Sequence, residues 1–385
     1  MKATFTLILS FLLTITALAQ QPSEREDDIY SNLEVSLLTC SPGDELYSAF
    51  GHTAIRVNDM VFNYGMFNFN TEGFYLKFVS GQTDYELGVE MMDGFERQYE
   101  RRNRSVIEQK LNLTNEEKAA LFNALIENTR PENKTYRYNF VFDNCATRPR
   151  VKIEECLKGA IKYDVKEENE SYRKLIEKYV GEDSWIKFGI DILIGAEADK
   201  TASFFDRLFL PDELMNAFAT ARRDNGERLV TETKEIVSQD KDEDDDEESD
   251  GITPLAVAVI AMTIISIASL LFPRKLKALD FILFLATGLL GVVITFLCFF
   301  SLHPLVGENY NLLWLNPVHL IIPLTIFIKK ARKILMGTYA LIALATAVAI
   351  SGYIYLPQEF NIAFLPFMAI IVVRALSAIK TLRQK

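Results

Sequence analysis

The chain has 385 residues, of which 49% are hydrophobic, and it carries a formal net charge of −11 at pH 7. An acidic chain repels phosphates, which argues against nucleic acid as a partner. The sequence holds no metal-ligand spacing and no phosphate-binding loop, so we expect neither a metal nor a cofactor.

The N-terminus predicts a secretory signal peptide over residues 1–19. An apolar stretch runs from about Phe5 to Leu18 behind a single lysine, and the small residues Ala17 and Ala19 form a cleavage site. No cysteine follows the predicted cleavage site, so the chain is not expected to be a lipoprotein of the usual kind. The pattern predicts export from the cytoplasm.

A soluble α+β domain is predicted from about Gln21 to Arg223, which is long enough to bury its own core. Near its start, an alternating run from His52 to Val57, the turn pair Asn58-Asp59 and a β-rich run from Met60 to Phe69 predict a hairpin. His52 is the one histidine outside the apolar C-terminal part. Any imidazole chemistry in this domain therefore falls to His52.

The stretch around Cys145 predicts a strand followed by a helix. Aromatic residues recur at every second position from Tyr136 to Phe142, which is typical of a strand. Asp143 or Asn144 is a good N-cap, which would place Cys145 in the first helical turn, where free N–H groups and the helix dipole favour a thiolate. A strand histidine beside such a cysteine has the geometry of a thiol nucleophile with its base.

Structural roles compete with this interpretation, because a lone cysteine is more often a small core hydrophobe. Here the cysteine and the histidine both lie where the chemistry needs them, so we favour the functional interpretation. Cys40 is the rival nucleophile, although no helix start activates it. A disulfide between Cys40 and Cys156 is possible and would leave Cys145 free, since Cys145 and Cys156 on one helix would lie about 16 Å apart.

Three segments, SPGDELYSAFGHTAIRV, VFNYG and FVFDNCATRPR, resemble the circularly permuted papain-like fold, of which lecithin:retinol acyltransferase is a member. The resemblance implies that His52 is the base, that Cys145 is the nucleophile and that Asn63 orients the imidazole. The chain departs from the acyltransferase at Ala146 and Thr147, where that enzyme has a glutamate and a histidine.

The rest of the soluble part contains three further features. The clearest helix is predicted over Thr114 to Asn128, opened by a capping box of Thr114 and Glu117. The apolar segment Ser184 to Gly195 could pack in a core or lie at a membrane interface. The acidic run Asp240 to Asp250 has no apolar residue, so residues 224–253 are predicted to be a disordered linker.

Five apolar stretches follow, each long enough to cross a bilayer. They are Pro254 to Phe272, Leu279 to Ser301, Leu312 to Ile328, Ile334 to Leu356 and Ile362 to Ile379. Lysine and arginine cluster in alternate gaps, a positive-inside pattern that places the soluble domain outside the cytoplasm and the C-terminus inside it. The prediction is an all-α five-helix transmembrane domain in the bacterial inner membrane, with the thiol domain in the periplasm.

Several residues are predicted to contact substrate. Three of them lie close in the sequence to Cys145 or Asn63, and three belong to the third apolar stretch: Tyr64, Asn144, Arg148, Trp314, Asn316 and His319. His319 lies deepest in its stretch, where polar groups are costly and commonly functional.

An exported thiol enzyme tied to a membrane has lipid within reach, so the sequence predicts two-step acyl transfer through a thioester on Cys145. The segments LLTCSPGDELYSAFGHTAIR, FNYG, FVFDNCATR, LFLPDEL and NLLWLNP also make the chain resemble the Lnb family of lipoprotein N-acyltransferases. With a membrane phospholipid as the acyl donor, the resemblance implies the N-terminal amine of an apolipoprotein as the acceptor. Two alternatives stay open: a papain-like periplasmic peptidoglycan peptidase, and a non-catalytic membrane-anchored binding module.

Overall fold

The computed structural model describes residues 30–68, 70–158, 161–166, 168–240 and 251–384. The predicted signal peptide and the acidic residues 241–250 lie outside the described residues. Residues 30–240 form a mixed domain of strands and helices, here called the sheet domain, and residues 251–384 form a helical domain. The predicted α+β domain followed by a helical domain is therefore confirmed.

The strands of the sheet domain are β1 (Val35–Cys40), β2 (His52–Val57), β3 (Met60–Met66), β4 (Asp84–Met91), β5 (Val106–Leu111), β6 (Thr135–Arg137), β7 (Ile161–Lys162), β8 (Arg222–Arg223) and β9 (Val230–Val237). Within the described ranges, seven strands form one antiparallel sheet in the order β6-β4-β3-β2-β1-β5-β9, and β7 pairs with β8. The interior strand β1 is buried along its length, with Leu37 in one hydrophobic core and Leu38 in another. Both faces of the sheet are therefore covered.

The helices of this domain are α1 (Phe74–Val79), α2 (Met92–Arg101), α3 (Asn115–Asn128), α4 (Thr147–Cys156), α5 (Tyr172–Val180), α6 (Trp185–Leu193), α7 (Phe204–Arg207) and α8 (Pro211–Thr220). The predicted capping box is confirmed, because Thr114 Oγ1 accepts from the N–H of Glu117 at 3.3 Å and the Glu117 carboxylate accepts from the N–H of Thr114 at 2.8 Å. These bonds satisfy N–H groups that the first turn leaves without partners. Leu121 of α3 and Ile153 of α4 pack with Ile55 of β2 in one core.

β2 and β3 form the predicted hairpin, with Val57 paired to Met60 and Ile55 paired to Phe62. Asn58 in the turn has a φ of 51°, a left-handed conformation that asparagine tolerates better than most residues. β3 ends at Met66, earlier than the sequence predicted. The hairpin positions the first residue of β2, which is the predicted base, at the end of the sheet.

The strand predicted before Cys145 is shorter than expected. β6 ends at Arg137, and Asn139 then pairs with Asp143 across a tight turn through two hydrogen bonds of 3.0 Å. The Asn139 side chain also accepts from the N–H groups of Val141 and Phe142, which closes the turn. The aromatic alternation therefore continues past the end of the strand, where Phe142 is exposed to solvent.

The predicted linker is wrong at its start, because β9 pairs with β5 and extends the sheet domain to about residue 240. Only Val230 and Val237 of this strand are buried, and the polar residues between them are exposed or half-buried. Charged residues on an edge strand discourage pairing with other chains. The same charges gave the segment the composition of a linker.

The helices of the helical domain are α9 (Pro254–Leu271), α10 (Lys277–Phe300), α11 (Ile321–Thr325), α12 (Arg332–Ser351) and α13 (Phe364–Arg383). In the part of the chain that the structure describes, four helices are long and apolar enough to cross a membrane. The third predicted span is not one of them, since 3₁₀ turns at Tyr310–Leu313 and Pro317–Leu320 interrupt it before the short α11. The third of the five predicted stretches is thus a broken segment, residues 310–331, beside four long helices.

The broken segment runs alongside α10 in the opposite direction. A Cβ on Gly291 would lie 2.5 Å from the carbonyl carbon of Asn316, and Gly288 is equally close to the segment. Nearer the start of α10, Phe281 packs against Phe327 with ring centroids 6.0 Å apart. Small residues permit such close backbone approach between apolar helices. The broken segment therefore lies against α10 from Asn316 to Phe327.

Arg374 and Asp280 form a buried ion pair inside the helical domain. The guanidinium donates to both carboxylate oxygens, at 2.7 and 3.0 Å, and to Ser269 Oγ at 2.8 Å. These bonds connect α13 to α10 and α9. Removing one partner would leave a buried charge unpaired, which typically costs about 3–5 kcal/mol.

Helix α6 joins the two domains. Asn311 Nδ2 donates to the carbonyl oxygen of Asp191 at 2.9 Å, and Asn361 Nδ2 donates to the Asp191 carboxylate at 2.9 Å. Phe188 packs against Phe364 of α13 with ring centroids 5.3 Å apart. Of the two predictions for this apolar segment, core packing is the one that the structure shows, and the core includes the helical domain.

Candidate functional site

His52 is the first residue of β2 and pairs with Cys40 of β1. On its other side the register between β2 and β3 extends only to Ile55 and Phe62, so β3 does not pair with the first three residues of β2. β3 bends away through a bulge between Asn63 and Met66. Bulges often lie beside active sites, because they open a sheet to another element.

Cys145 occupies this opening. A Cβ on Gly65, which lies in the bulge with a φ of +96°, would be 3.4 Å from the Cys145 Cβ, so the cysteine packs against bare backbone. The backbone N–H groups of Thr53 and of Cys145 itself lie close enough to the thiol to lower its pKa. The structure therefore places the predicted nucleophile beside the residue that follows His52. The side chains of Cys145 and His52 are both half-buried.

The position of Cys145 relative to its helix differs from the prediction. α4 begins at Thr147, so Cys145 precedes the helix by two residues and is not in the first turn. Asn144 Oδ1 accepts from the N–H groups of Ala146 and Thr147, both at 2.9 Å, and its carbonyl accepts from the N–H of Arg148 at 3.2 Å. The predicted N-cap at Asp143 or Asn144 is therefore wrong, since Ala146 holds that position, and Asn144 instead closes the turn that carries Cys145 into the helix.

A chain of hydrogen bonds fixes the tautomer of His52. Asn63 Nδ2 donates to the Glu90 carboxylate at 2.7 Å, which leaves Asn63 Oδ1, an acceptor only, 3.1 Å from His52 Nε2. Nε2 must therefore carry the proton, and Nδ1 keeps its lone pair. The predicted role of Asn63 as the orienting residue fits this arrangement. Burial raises the pKa of Glu90, and the Asn63 bond opposes that shift.

Burial shifts the pKa values of the two candidate groups, Cys145 and His52, toward their neutral forms. Burial raises the pKa of the Cys145 thiol to about 11, although the two backbone N–H groups partly offset the shift. Burial likewise lowers the pKa of His52 to about 4, the bond to Asn63 opposes this, and the nearby Arg104 guanidinium lowers it further. The expectation of a thiolate stabilised by the helix dipole is therefore wrong for the substrate-free protein, because removal from water favours the uncharged forms.

Cys40, the rival nucleophile, is less accessible than the half-buried Cys145. Cys40 lies in the interior of the sheet, and burial raises its pKa to about 12. The four cysteines, all within the described ranges, are free thiols. The possible Cys40–Cys156 disulfide is therefore not formed, and Cys156 is half-buried at the end of α4.

The three predicted substrate contacts near the dyad are engaged within the protein. Tyr64 is buried and its hydroxyl donates to Asn128 Oδ1 at 2.9 Å. Arg148 pairs with Asp143 at 2.6 Å and lies 3.5 Å from the centre of the Tyr136 ring. The Asn144 amide nitrogen donates to two backbone carbonyls at 2.8 Å. The geometry gives all three a part in holding the Cys145 turn, and contact with substrate stays a prediction.

The other three predicted contacts make their hydrogen bonds inside the helical domain. Trp314 Nε1 donates to Asn311 Oδ1 at 2.9 Å, and Asn316 donates to the carbonyl of Leu312 at 3.0 Å. His319 is fully buried, with Nδ1 2.7 Å from the hydroxyl of Thr287. The bonds of Trp314 and Asn316 close turns of the broken segment, and the bond of His319 connects the segment to α10. No hydrogen bond found among the described residues joins them to the Cys145 site.

Sequence reasoning missed Thr53, Gly65 and Glu90. Thr53 contributes a backbone N–H, which no side-chain pattern reveals. Gly65 stands in the FNYG segment, and a glycine inside a strand is a recognised sign of a bulge or a close backbone approach. No sequence pattern pointed to Glu90 as a site residue, because a carboxylate in an alternating strand normally faces solvent.

Fold and site together define a class: a membrane protein whose α+β domain holds a cysteine beside the end of a strand that begins with a histidine. Family comparison then places the chain within that class. One family model, described as the Lnb N-terminal periplasmic domain, matches residues 20–178, and another, described as the Lnb transmembrane domain, matches residues 246–385. The chain belongs to the Lnb family, as the sequence resemblance indicated. Comparisons with curated proteins and with solved structures gave no match.

Proposed function

We propose that the protein is a membrane-bound acyltransferase that moves a fatty acyl chain from a phospholipid to the N-terminal amine of diacylated lipoproteins. The observation that carries the proposal is the Cys145 thiol beside the first residues of β2, where the bond to Asn63 leaves His52 Nδ1 unprotonated. Such a pair supplies a nucleophile with its base. The membrane domain of the same chain would bring lipid to it.

The first half-reaction forms a thioester. His52 Nδ1 removes the proton of the Cys145 thiol as the sulfur attacks the ester carbonyl of the phospholipid. A tetrahedral intermediate forms and collapses, and the C–O bond breaks. His52 returns the proton to the departing oxygen, which becomes the free hydroxyl of the lysophospholipid. A neutral resting pair suits this sequence, because the base can take the proton only if it starts unprotonated.

The oxyanion of the intermediate would be held by backbone N–H groups. The N–H groups of Thr53 and Cys145 both lower the pKa of the thiol in the substrate-free protein, so they lie near the sulfur. An oxygen bonded to the attacked carbon would lie next to the sulfur and could accept from both N–H groups. Each such donor is worth roughly 10²–10³ in rate.

The second half-reaction returns the free thiol. The α-amine of the acceptor attacks the thioester carbonyl, His52 takes a proton from the nitrogen, and the C–S bond breaks with the proton returned to sulfur. The products are an amide and the Cys145 thiol. Family membership supports the choice of a lipoprotein amine as acceptor, since a water acceptor would give only a lipase.

We also propose that the protein crosses the bacterial inner membrane several times, with the C-terminus in the cytoplasm. Arg274 after α9 donates to Gln384 after α13 at 3.2 Å, so these chain segments meet at one end of the helical domain. Lys277 and Arg383 belong to the same end, and the positive-inside rule assigns such an end to the cytoplasm. The broken segment would be the fifth crossing.

The thioester is tested by intact mass spectrometry of the full-length protein after incubation with phospholipid alone. We expect an acyl adduct on the wild-type protein and on Cys40→Ala, and none on Cys145→Ala. Cys40→Ala is the matched control, because it removes a buried thiol from the neighbouring strand. An adduct on Cys145→Ala, or none on the wild type while it cleaves peptidoglycan stem peptides, would refute the proposal.

The acceptor is tested with the acylated protein and a synthetic diacylated lipopeptide. We expect the adduct to disappear and an N-acylated lipopeptide to form. The same lipopeptide with an acetylated α-amine should leave the adduct in place. Loss of the adduct at the same rate with both peptides would mean that water is the acceptor.

A further inference from the structure

Helix α1 carries an exposed apolar surface on the sheet domain. Tyr75 is 72% exposed and Leu76 is 79% exposed, and Val79 is also exposed. Lys77 lies between them in the chain. A short helix with exposed aromatic and aliphatic side chains and a lysine has the composition of an element that lies in a membrane interface.

α1 is attached to the end of the membrane helix α10. The carbonyl oxygens of Val79 and Ser80 accept from Ser301 Oγ at 2.8 Å and from the N–H of Leu302 at 3.0 Å. His303 Nε2 lies 2.7 Å from the carbonyl oxygen of Phe78. These residues directly follow Phe300, the last residue of α10. α1 therefore lies at the level where α10 leaves the membrane.

The exposed surface of α1 continues into the lipid-facing surface of α10. Phe299 and Phe300 are 70% and 67% exposed, and Leu302 is exposed as well. Side chains of this kind at the end of a spanning helix face lipid in a membrane. The occupant of the α1 surface is therefore the leaflet that surrounds this end of α10, because the two surfaces adjoin.

A row of aromatic rings connects α1 to the Cys145 site. Phe78 stacks on Phe74 with centroids 6.0 Å apart, and Phe74 stacks on Phe67 at 5.8 Å. Phe67 follows the β3 bulge, two residues after Gly65, against which Cys145 packs. The row consequently runs from the membrane end of α1 to the end of β3, next to the bulge against which Cys145 packs.

We propose that α1 inserts into the leaflet on the side of the sheet domain and that the aromatic row guides the acyl chain of the donor phospholipid to Cys145. The path to the thiol rests on the proposed acyltransferase function, whereas the membrane contact of α1 does not. Insertion of α1 would bring the ester of a leaflet lipid to a site that otherwise stands outside the bilayer.

Membrane contact is tested by fluorescence quenching with the full-length protein in vesicles of phosphatidylglycerol and phosphatidylethanolamine whose acyl chains are brominated. The variants are Leu76→Trp and a matched control, Ile126→Trp, which adds an indole at an exposed apolar position of α3. After subtraction of the wild-type signal, we expect strong quenching for Leu76→Trp and little for Ile126→Trp. Equal quenching of the two added indoles overturns the proposal.

The path is tested by comparing two donors. Leu76→Glu should form the Cys145 adduct about tenfold more slowly from vesicle phospholipid, because a charge opposes insertion. With a monomeric short-chain phospholipid, its rate should match the wild type. An equal loss with both donors overturns the guiding role. If the wild type forms no adduct from either donor, the proposed function fails, and the quenching experiment still decides the membrane contact.

Discussion

The sheet domain and the helical domain each place a histidine in a hydrogen-bonded position. His52 uses Nε2 for Asn63 and keeps a lone pair on Nδ1, and the half-buried thiol of Cys145 lies near the N–H of Thr53, the next residue of β2. His319 is fully buried, its Nδ1 is bonded to Thr287, and its ring packs against Phe284 at 5.6 Å. One histidine retains an unprotonated ring nitrogen at the end of β2, and the other bonds the broken segment to α10. The comparison teaches that burial and polarity alone do not mark a reacting group.

The largest effect in this comparison is expected at the base. His52→Gln removes the proton acceptor, and we expect the rate of Cys145 acylation to fall by about 10³-fold, since general base catalysis contributes roughly 10²–10⁴. The rate is measured by intact mass spectrometry over time. His319→Gln is the matched control in the other domain, and a similar loss in that variant would contradict the distinction between the two sites.

The pH dependence of Cys145 alkylation distinguishes a neutral thiol and imidazole from a preformed ion pair of thiolate and imidazolium. Because the pKa of Cys145 is raised to about 11, the thiolate fraction should increase about tenfold per pH unit from neutral pH upward. Alkylation of the substrate-free protein by iodoacetamide should follow that increase, with Cys145→Ala giving the background from other thiols. Acylation by lipid should instead be level at neutral pH and decline only as pH falls toward about 4, where His52 becomes protonated. A plateau of alkylation reached below neutral pH would show that the thiolate forms without substrate.

The hydrogen-bond chain behind His52 should have an intermediate effect. Glu90→Leu removes the acceptor that orients Asn63, so we expect about a tenfold slower acylation, in line with the loss of one hydrogen bond to a charged group. Glu90→Gln keeps an acceptor oxygen and should recover most of the rate. Iodoacetamide alkylation of Cys145 should be unchanged in both variants. Identical rates for the two variants would show that the carboxylate only supports the fold.

The smallest effect on chemistry is expected at His319. His319→Phe fills the site but removes the bond to Thr287, so we expect a lower thermal midpoint of the full-length protein in detergent. Thr287 keeps its bond to the carbonyl oxygen of Leu283, so the loss should be that of one hydrogen bond, about 0.5–1.5 kcal/mol. The acylation rate at a temperature below the transition should stay within about twofold, the size expected for a site that touches no reacting group. A rate loss like that of His52→Gln would instead assign His319 a part in the reaction.

Local sequence patterns determined much of this protein. The α+β domain, the hairpin, the capping box of α3 and the apolar C-terminal stretches follow from short-range periodicity and turn chemistry, which act over a few residues. The two residues proposed to react, His52 and Cys145, were also predicted, because each stands at a recognisable boundary of a strand or a turn.

Tertiary structure decided how these parts meet. The bulge at Gly65 opens the sheet, Glu90 arrives from another strand to set the Asn63 amide, and burial leaves thiol and imidazole neutral. None of these effects can be read from neighbouring residues, since strand register and desolvation depend on segments far apart in the chain. The break in the third apolar stretch has the same origin: its composition suits a helix, but packing against two glycines of α10 and the bonds of its own polar residues fix a broken path.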